Sequence, residues 1–442
     1  MPLNSTMIAV ALPDIARDLG HSPGAVTQAL VASYLVAAIV LQSPGGKLGD
    51  RVGHWRVIAG GQALIAAGAV AGFTAPSLAV LTLCRVLMAA GGAVVVPATV
   101  ALMRVELPSE RRGRAFGTFG AVMSLAAGIG PVVGGELVGV FGWRSIFLAN
   151  LPVLALSVVL GARTEQVPVA ADRAVPPRFD WVGTALLAAT LTSLVLGLQA
   201  TGAQAMALVG TCVALLGPFV WWEQRAADPV VAFSLFTSLP FTAGALLVAL
   251  QNLVMYTLLF ELPQVLEAML SWDAAATGRL LIFLMLAMVL TSLVAGRLTD
   301  RFGSRPVAVV GSLVCLAGLG VLAAGGLSAY GPVRLALALL GVGIGLATPA
   351  AQNASLSAVA AQRSGMAAGV GSTMRYLGGI IGVAILGRVL DLRGDRGDVI
   401  HEHRTMLAVF AVTLLVGLAC AALLPGRCPR ATPSDVPSST RV

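Results

Sequence analysis

Charge is scarce in this sequence. Asp, Glu, Lys and Arg make up 11% of its 442 residues, against about a quarter in an ordinary soluble domain. Aromatic residues reach 5%. The five cysteines, Cys84, Cys212, Cys315, Cys420 and Cys428, lie far apart with no C-x-x-C or Cys/His spacing. That excludes a disulfide framework and a zinc site. His401 and His403, with Asp398 and Glu402, come nearest to a metal-ligand cluster, and they read as a solvated charged loop. No G-x-x-x-x-G-K-[ST] occurs, so there is no P-loop for ATP. No nucleophile stands beside a base, so the chain is not read as an enzyme, and no cofactor or metal is assigned.

What is abundant is apolar. Hydrophobic residues make up 57% and the mean hydropathy is +0.90. Runs of about 20 apolar residues, each enough to cross a roughly 30 Å hydrocarbon layer, follow one another from end to end. They are unbroken rather than alternating, and rich in Ala, Leu and Gly, which excludes a transmembrane barrel. The chain is therefore an all-α polytopic membrane protein with the lipid bilayer as its solvent. Its net charge of +8 comes from single basic residues scattered through short loops. That is a topology signal, and it excludes nucleic acid as a partner.

In order, the apolar runs predict helices at roughly 1–15, 25–45, 56–76, 78–103, 115–140 and 144–162. A pair follows at roughly 181–200 and 204–222, then six more at roughly 240–265, 276–297, 306–325, 332–356, 366–388 and 405–424. The expected organisation is an N-terminal six-helix bundle (1–162), a polar linker with an inserted helix pair (163–230), a C-terminal six-helix bundle (231–424) and a disordered tail (425–442). Fourteen spans put both termini on one side. Most Lys and Arg residues in the loops share that side, which makes it the cytosol of a cell (plasma or inner) membrane. A monomer is expected. The first run is too short to span by itself, which leaves open a start upstream of Met1.

One stretch occurs twice. Gly46-Lys47-Leu48-Gly49-Asp50-Arg51-Val52-Gly53 is answered 250 positions on by Gly296-Arg297-Leu298-Thr299-Asp300-Arg301-Phe302-Gly303. Each follows one apolar run and precedes the next, so each reads as a short charged turn between membrane helices. Gly46 and Gly53 permit a tight turn and close helix approach. Asp50 can face the positive end of a neighbouring helix.

The duplicated G-x-L-x-D-R-x-G resembles the loop between the second and third helices of major facilitator transporters. Four further stretches resemble the fourteen-helix drug–proton antiporter branch. The fourth helix carries Arg85-Val86-Leu87-Met88-Ala89-Ala90-Gly91-Gly92-Ala93, similar to R-x-x-Q-G-x-G-x-A with Met88 and Ala89 in place of glutamine and glycine. The fifth holds Gly130-Pro131-Val132-Val133-Gly134-Gly135, the antiporter signature with Ala126 or Ala127 at its first glycine. Gly142-Trp143-Arg144 opens the sixth, and Arg363-Ser364-Gly365-Met366-Ala367-Ala368-Gly369 the thirteenth. The resemblance implies a major facilitator fold of two six-helix bundles and an inserted pair. It implies gating by Gly46, Asp50, Arg51, Gly53, Gly296, Asp300, Arg301 and Gly303. It also implies proton-coupled efflux of drugs or of hydrophobic or cationic organic compounds by alternating access. Two alternatives stay open: an exporter dedicated to one metabolite or self-made antibiotic, and a transporter-like sensor or scaffold. Asn4, where that family usually carries a carboxylate, keeps the last one open.

An antiporter needs a carboxylate that loads and unloads a proton inside the protein. With Asn4 unable to do so, the candidates are Glu136, paired to Arg85 or facing outer water, and Glu261. Polar residues deep in the helices, Tyr34, Gln42, Gln251, Asn252, Tyr256, Gln352 and Asn353, are candidate lining for a substrate cavity or else bond between helices.

Overall fold

The computed structural model describes residues 2–162, 179–200, 202–270, 274–325, 330–389 and 396–426. The linker at 163–178 and the tail from 427 lie outside the described residues. Everything regular in the described residues is helical. We number the helices α1 (Pro2–Leu19), α2 (Ala25–Val52), α3 (His54–Phe73), α4 (Leu78–Glu106), α5 (Ser109–Phe141), α6 (Leu151–Ala162), α7 (Trp181–Gln199) and α8 (Gly202–Glu223). They continue with α9 (Leu239–Leu270), α10 (Ala274–Phe302), α11 (Ser304–Gly325), α12 (Tyr330–Ser357), α13 (Ser364–Val389) and α14 (Arg396–Ala422). Eleven helices are long and apolar enough to cross a membrane, or twelve with the bent α5 counted as one span. The expected fourteen spans are thus not all reached among the described residues. The segment Ser145–Gly161 is a shorter apolar helix, and α1, at 18 residues, carries Asp14, Arg17 and Asp18 near its end.

The duplicated stretch is not a loop, as the sequence suggested. α2 stays helical through Asp50 and Arg51, and α10 through Asp300 and Arg301. The reversal into α3 and into α11 takes a single residue each time, Gly53 at φ 98° and Gly303 at φ 89°. Positive φ is accessible to glycine without the Cβ clash other residues meet. Two helix starts carry side-chain caps: Ser77 caps α4 through Val80 N (3.4 Å) and Asp180 caps α7 through Gly183 N (2.7 Å).

Packing follows the repeat. α2 lies against α13 across the molecule, and α5 lies against α10. Adding 250 to α2 gives α10, and adding a similar interval to α5 gives α13, so the two interfaces are equivalent by the internal duplication. Within the first half α3 and α2 pack on α4, and α1 packs on α5. In the second half α11 and α10 pack on α12, while α9 packs on α13 and α14. α7 and α8 pack on each other, with α7 touching α2 and α13. Asp18, at the end of α1, accepts from Arg144 (2.8 Å) and Trp143 (3.1 Å). These hydrogen bonds, Arg144 first, hold its carboxyl below the usual carboxylate range.

Small residues set the helix distances, because lipid gives no hydrophobic drive for one helix to leave it for another. On α12, Gly341 and Gly345 face α10 and Gly343 faces α11. A Cβ on Gly341 would lie 2.3 Å from the Leu284 carbonyl oxygen, and one on Gly343 would lie 2.4 Å from Cys315 Sγ. In contrast, a Cβ on Gly320 of α11 meets nothing within 4 Å. Gly343→Leu is therefore expected to overpack the bundle, at about 1–3 kcal/mol, and to lower the thermal midpoint of the detergent-purified protein. Gly320→Leu should leave it unchanged. Equal midpoints for the two variants would contradict this packing.

Candidate functional site

Two carboxylates tie the halves together. Asp50 Oδ1 accepts from the Gly365 N–H at 2.7 Å and Oδ2 from the Met366 N–H at 2.8 Å. Gly365 and Met366 are the second and third residues of α13, whose first-turn N–H groups have no carbonyl within their own helix. Asp300 does the reciprocal thing, accepting from Gly113 N (2.8 Å) and Arg114 N (3.0 Å) near the start of α5. Each aspartate sits on the last turn of its own helix, the negative end of that dipole. Each gains by facing the positive start of a helix in the other half.

Glycines let the backbones come that close. A Cβ on Gly46 would be 2.0 Å from the Gly365 carbonyl oxygen, and one on Gly296 would be 2.5 Å from that of Gly113. His54 reaches Asp50 at 3.7 Å. Sequence reasoning singled out the aspartates but missed Gly113 and Arg114. The signal was present: Arg111-Arg112-Gly113-Arg114-Ala115-Phe116-Gly117 repeats the spacing of Arg363-Ser364-Gly365-Met366-Ala367-Ala368-Gly369.

Two further contacts on this side were not foreseen. Lys47, buried within α2, donates to Asp228 Oδ1 and to the Pro229 carbonyl, and Arg51 approaches Asp228 Oδ2 at 4.0 Å. The segment leaving α8 is thereby fastened to the duplicated stretch, and Arg51 also lies over the Phe179 ring. Arg104, near the end of α4, donates to the carbonyls of Leu356 (3.0 Å) and Val359 (3.4 Å). It covers carbonyls left open at the end of α12 in the other half. Arg301 instead stacks over Phe302.

The proton candidates separate. Arg85 is 1% exposed, lies 4.3 Å from the Tyr34 ring centroid and donates to the Leu30 carbonyl. Glu136 is exposed and forms no salt bridge among the described residues, so the Arg85–Glu136 pair is not assembled. The helical turn of α5 places Glu136 outward while Arg85 points toward α2. Glu261 is fully buried on α9, and its Oε1 lies 2.7 Å from Nδ1 of His403 on α14. Glu261 Oε2 and His403 Nε2 have no hydrogen-bond partner among the described residues. His403 is therefore not in a solvated loop. α14 begins at Arg396, which brings His403 to its second turn and inward face. No group of three or more candidate metal ligands forms among the described residues.

In α5, Gly134 packs against Met7 of α1, 3.1 Å from a Cβ built on it to the Met7 Cα. Gly130 is buried, Gly135 reaches Val10, and the Pro131 side chain lies outside the described part. The helix bends by 41° between Ser109–Gly130 and Val133–Phe141, where Pro131 withholds a backbone donor.

Between the halves lies a narrow cavity with about 30 Å³ open to a water-sized sphere, walled by Val96, Val100 and Phe119 on one side and by Phe241, Gln352 and Arg375 among others on the other. Gln352 lines it. Asn353 instead donates to Ser304 (3.3 Å), Asn252 to its own helix at Val248 (2.8 Å), and Gln251 accepts from Thr348 (2.8 Å). Gln42 is buried with neither amide atom partnered among the described residues. Tyr256 packs against Gly379 of α13. Arg375, which the sequence reading noted only inside a motif, is the charged residue in the cavity wall.

Two halves of like build, sealed to each other on one side by reciprocal carboxylates around a central cavity, define a membrane carrier fold. The chain belongs to the Major Facilitator Superfamily, whose profile matches residues 1–383. It is 31% identical over 401 residues to the tetracenomycin C resistance and export protein of Streptomyces glaucescens, covering 89% of this chain and 74% of that one. It is 30% identical over 395 residues to the multidrug resistance protein Stp of Mycobacterium tuberculosis (strain CDC 1551 / Oshkosh), covering 88% and 73%. Its fold is similar to the crystal structure of the human organic anion transporter MFSD10 (TETRAN), with a TM-score of 0.67, 16% identity and 96% of each chain covered.

Asp50→Asn keeps one acceptor oxygen but turns an NH₂ toward a helix N-terminus, losing charge-assisted hydrogen bonds worth about 1.5–3 kcal/mol each. The variant is expected in the membrane at wild-type abundance with export reduced at least tenfold, read as drug sensitivity of cells expressing it. Asp300→Asn should weaken export less. Undiminished export by the Asp50 variant would contradict the gating role that the resemblance implies.

Proposed function

We propose that this chain exports hydrophobic organic compounds across the cell membrane in exchange for protons, its two halves rocking about the central cavity. The observation that carries the coupling is the buried Glu261–His403 pair. With one shared proton the pair is neutral. A second proton, or none, leaves a net charge in an apolar shell formed by Leu258, Leu262, Val265, Val399 and Met406, which is costly. Exchange with water therefore needs the shell to open, and that ties proton traffic to helix movement. Glu261 lies about 33 Å along α9 from Leu239, at 1.5 Å per residue. The pair is thus near the end of the bundle opposite the carboxylate locks. With the locks on the cytosolic side, as the basic residues of the loops favour, it faces the proton-rich exterior.

Names of relatives support export of drugs or of an antibiotic, and tetracenomycin C also favours the narrower reading of one dedicated metabolite. The test is proton release from purified protein on adding tetracenomycin C or ethidium. Wild type and Glu136→Gln should release protons, while Glu261→Gln should release less than a tenth as many. Full exchange by Glu261→Gln would overturn the assignment of the pair, and no exchange by wild type would overturn antiport itself.

A further inference from the structure

The central cavity carries a cation and no carboxylate. Arg375 lies ten residues into α13 from Gly365, about 15 Å from the lock at 1.5 Å per residue, so it stands near mid-membrane. It lines the space between the halves. Among the described residues it makes no hydrogen bond or ion pair, and its Nε is buried without a partner. An arginine at that depth is costly unless something charged or polar meets it. None of the residues lining the cavity is Asp or Glu; its polar members are Gln352, Ser355 and Ser372.

Aromatic rings gather at the same level. Tyr376 and Tyr256 lie within electrostatic range of the Arg375 guanidinium. Tyr34, contributed by the other half, is within that range of both tyrosines. Three of the four tyrosines in the chain thus converge from α2, α9 and α13. Tyr34 already holds the Arg85 guanidinium against its face, and neither of these two residues lines the cavity.

We propose that the cavity binds planar aromatic compounds through an acidic oxygen, a phenolate or carboxylate, with Arg375 as the recognising group. A guanidinium offers a planar fork of N–H donors that matches a carboxylate or a pair of adjacent aromatic oxygens. A flat ring would find apolar ring partners in Phe119 and Phe241, which line the cavity. A quaternary cation would meet Arg375 in the cavity wall and no carboxylate, so the cationic solutes that the resemblance implies are disfavoured. The proposal rests on the efflux reading in taking the inter-half cavity as the substrate's path.

The test uses the full chain in lipid nanodiscs with no proton gradient, so binding is measured apart from transport. The probes are anthraquinone-2-carboxylate, its methyl ester and ethidium. Wild type should bind the carboxylate at least tenfold more tightly than the ester or ethidium. Arg375→Met should lose that tenfold preference while binding the ester as before, which also shows that the variant is folded. Arg375→Lys, which keeps the charge, should restore part of it. Equal affinity of wild type for acid and ester, a preference for ethidium, unchanged selectivity in Arg375→Met, or no binding of any probe would each overturn the proposal. Selective binding of the acid without any vesicle transport would instead sink the efflux reading and leave this site standing.

Discussion

A carboxylate on the last turn of one helix, received by the N–H groups at the start of a helix in the other half, is the contact on which the rest depends. In a membrane neither half gains hydrophobic energy by meeting the other, since lipid is as apolar as the partner surface. What joins them must be close packing and polar contact. Asp50 on α13 and Asp300 on α5 supply the polar part, and the Gly46–Gly365 and Gly113–Gly296 crossings supply the packing. Such a joint is strong when made and leaves both partners at a water-accessible surface when broken. Under the proposed alternating access, the same joint would open in each cycle.

The scarcity of charge gives each buried ion a defined partner chemistry. Lys47 is answered by Asp228 and a backbone carbonyl, which fastens the segment after the inserted helices to the lock. Arg85 is answered by the Tyr34 ring and the Leu30 carbonyl. Glu261 is answered by His403. Arg375 alone among these four has its guanidinium in the central cavity without a partner in the described residues, which is why it is the residue to which we assign substrate recognition. On the proposed function these sites lie apart along the membrane normal: the lock at one end, Arg375 near the middle, and the Glu261–His403 pair toward the other end.

The helices and the duplicated lock were legible in the sequence because their signals are local. Apolar runs place α7 and α8 within a few residues of Trp181–Gln199 and Gly202–Glu223, and the repeat points to Asp50 and Asp300 together. The partners of those aspartates were harder, since Gly113 is 187 residues from Asp300 and the repeat containing it is only glycine and arginine spacing. His403 was misplaced because its neighbours His401, Glu402 and Arg404 are charged or polar, and composition cannot show that one face of α14 turns inward. Arg85 and Glu136 are on adjacent helices in the chain, yet helix rotation sends one inward and the other to the surface. Direction about a helix axis near its end is the information a polar flank conceals.

Distance between the halves on the lock side tests the central claim most directly. Spin labels at Arg56 and Gln362, both exposed and on opposite halves, report that gap by electron–electron resonance in lipid nanodiscs. The account predicts one short distance in the wild-type protein and a shift of the population toward a longer one in the Asp50→Asn, Asp300→Asn double variant. An unchanged distance distribution in the double variant would contradict it.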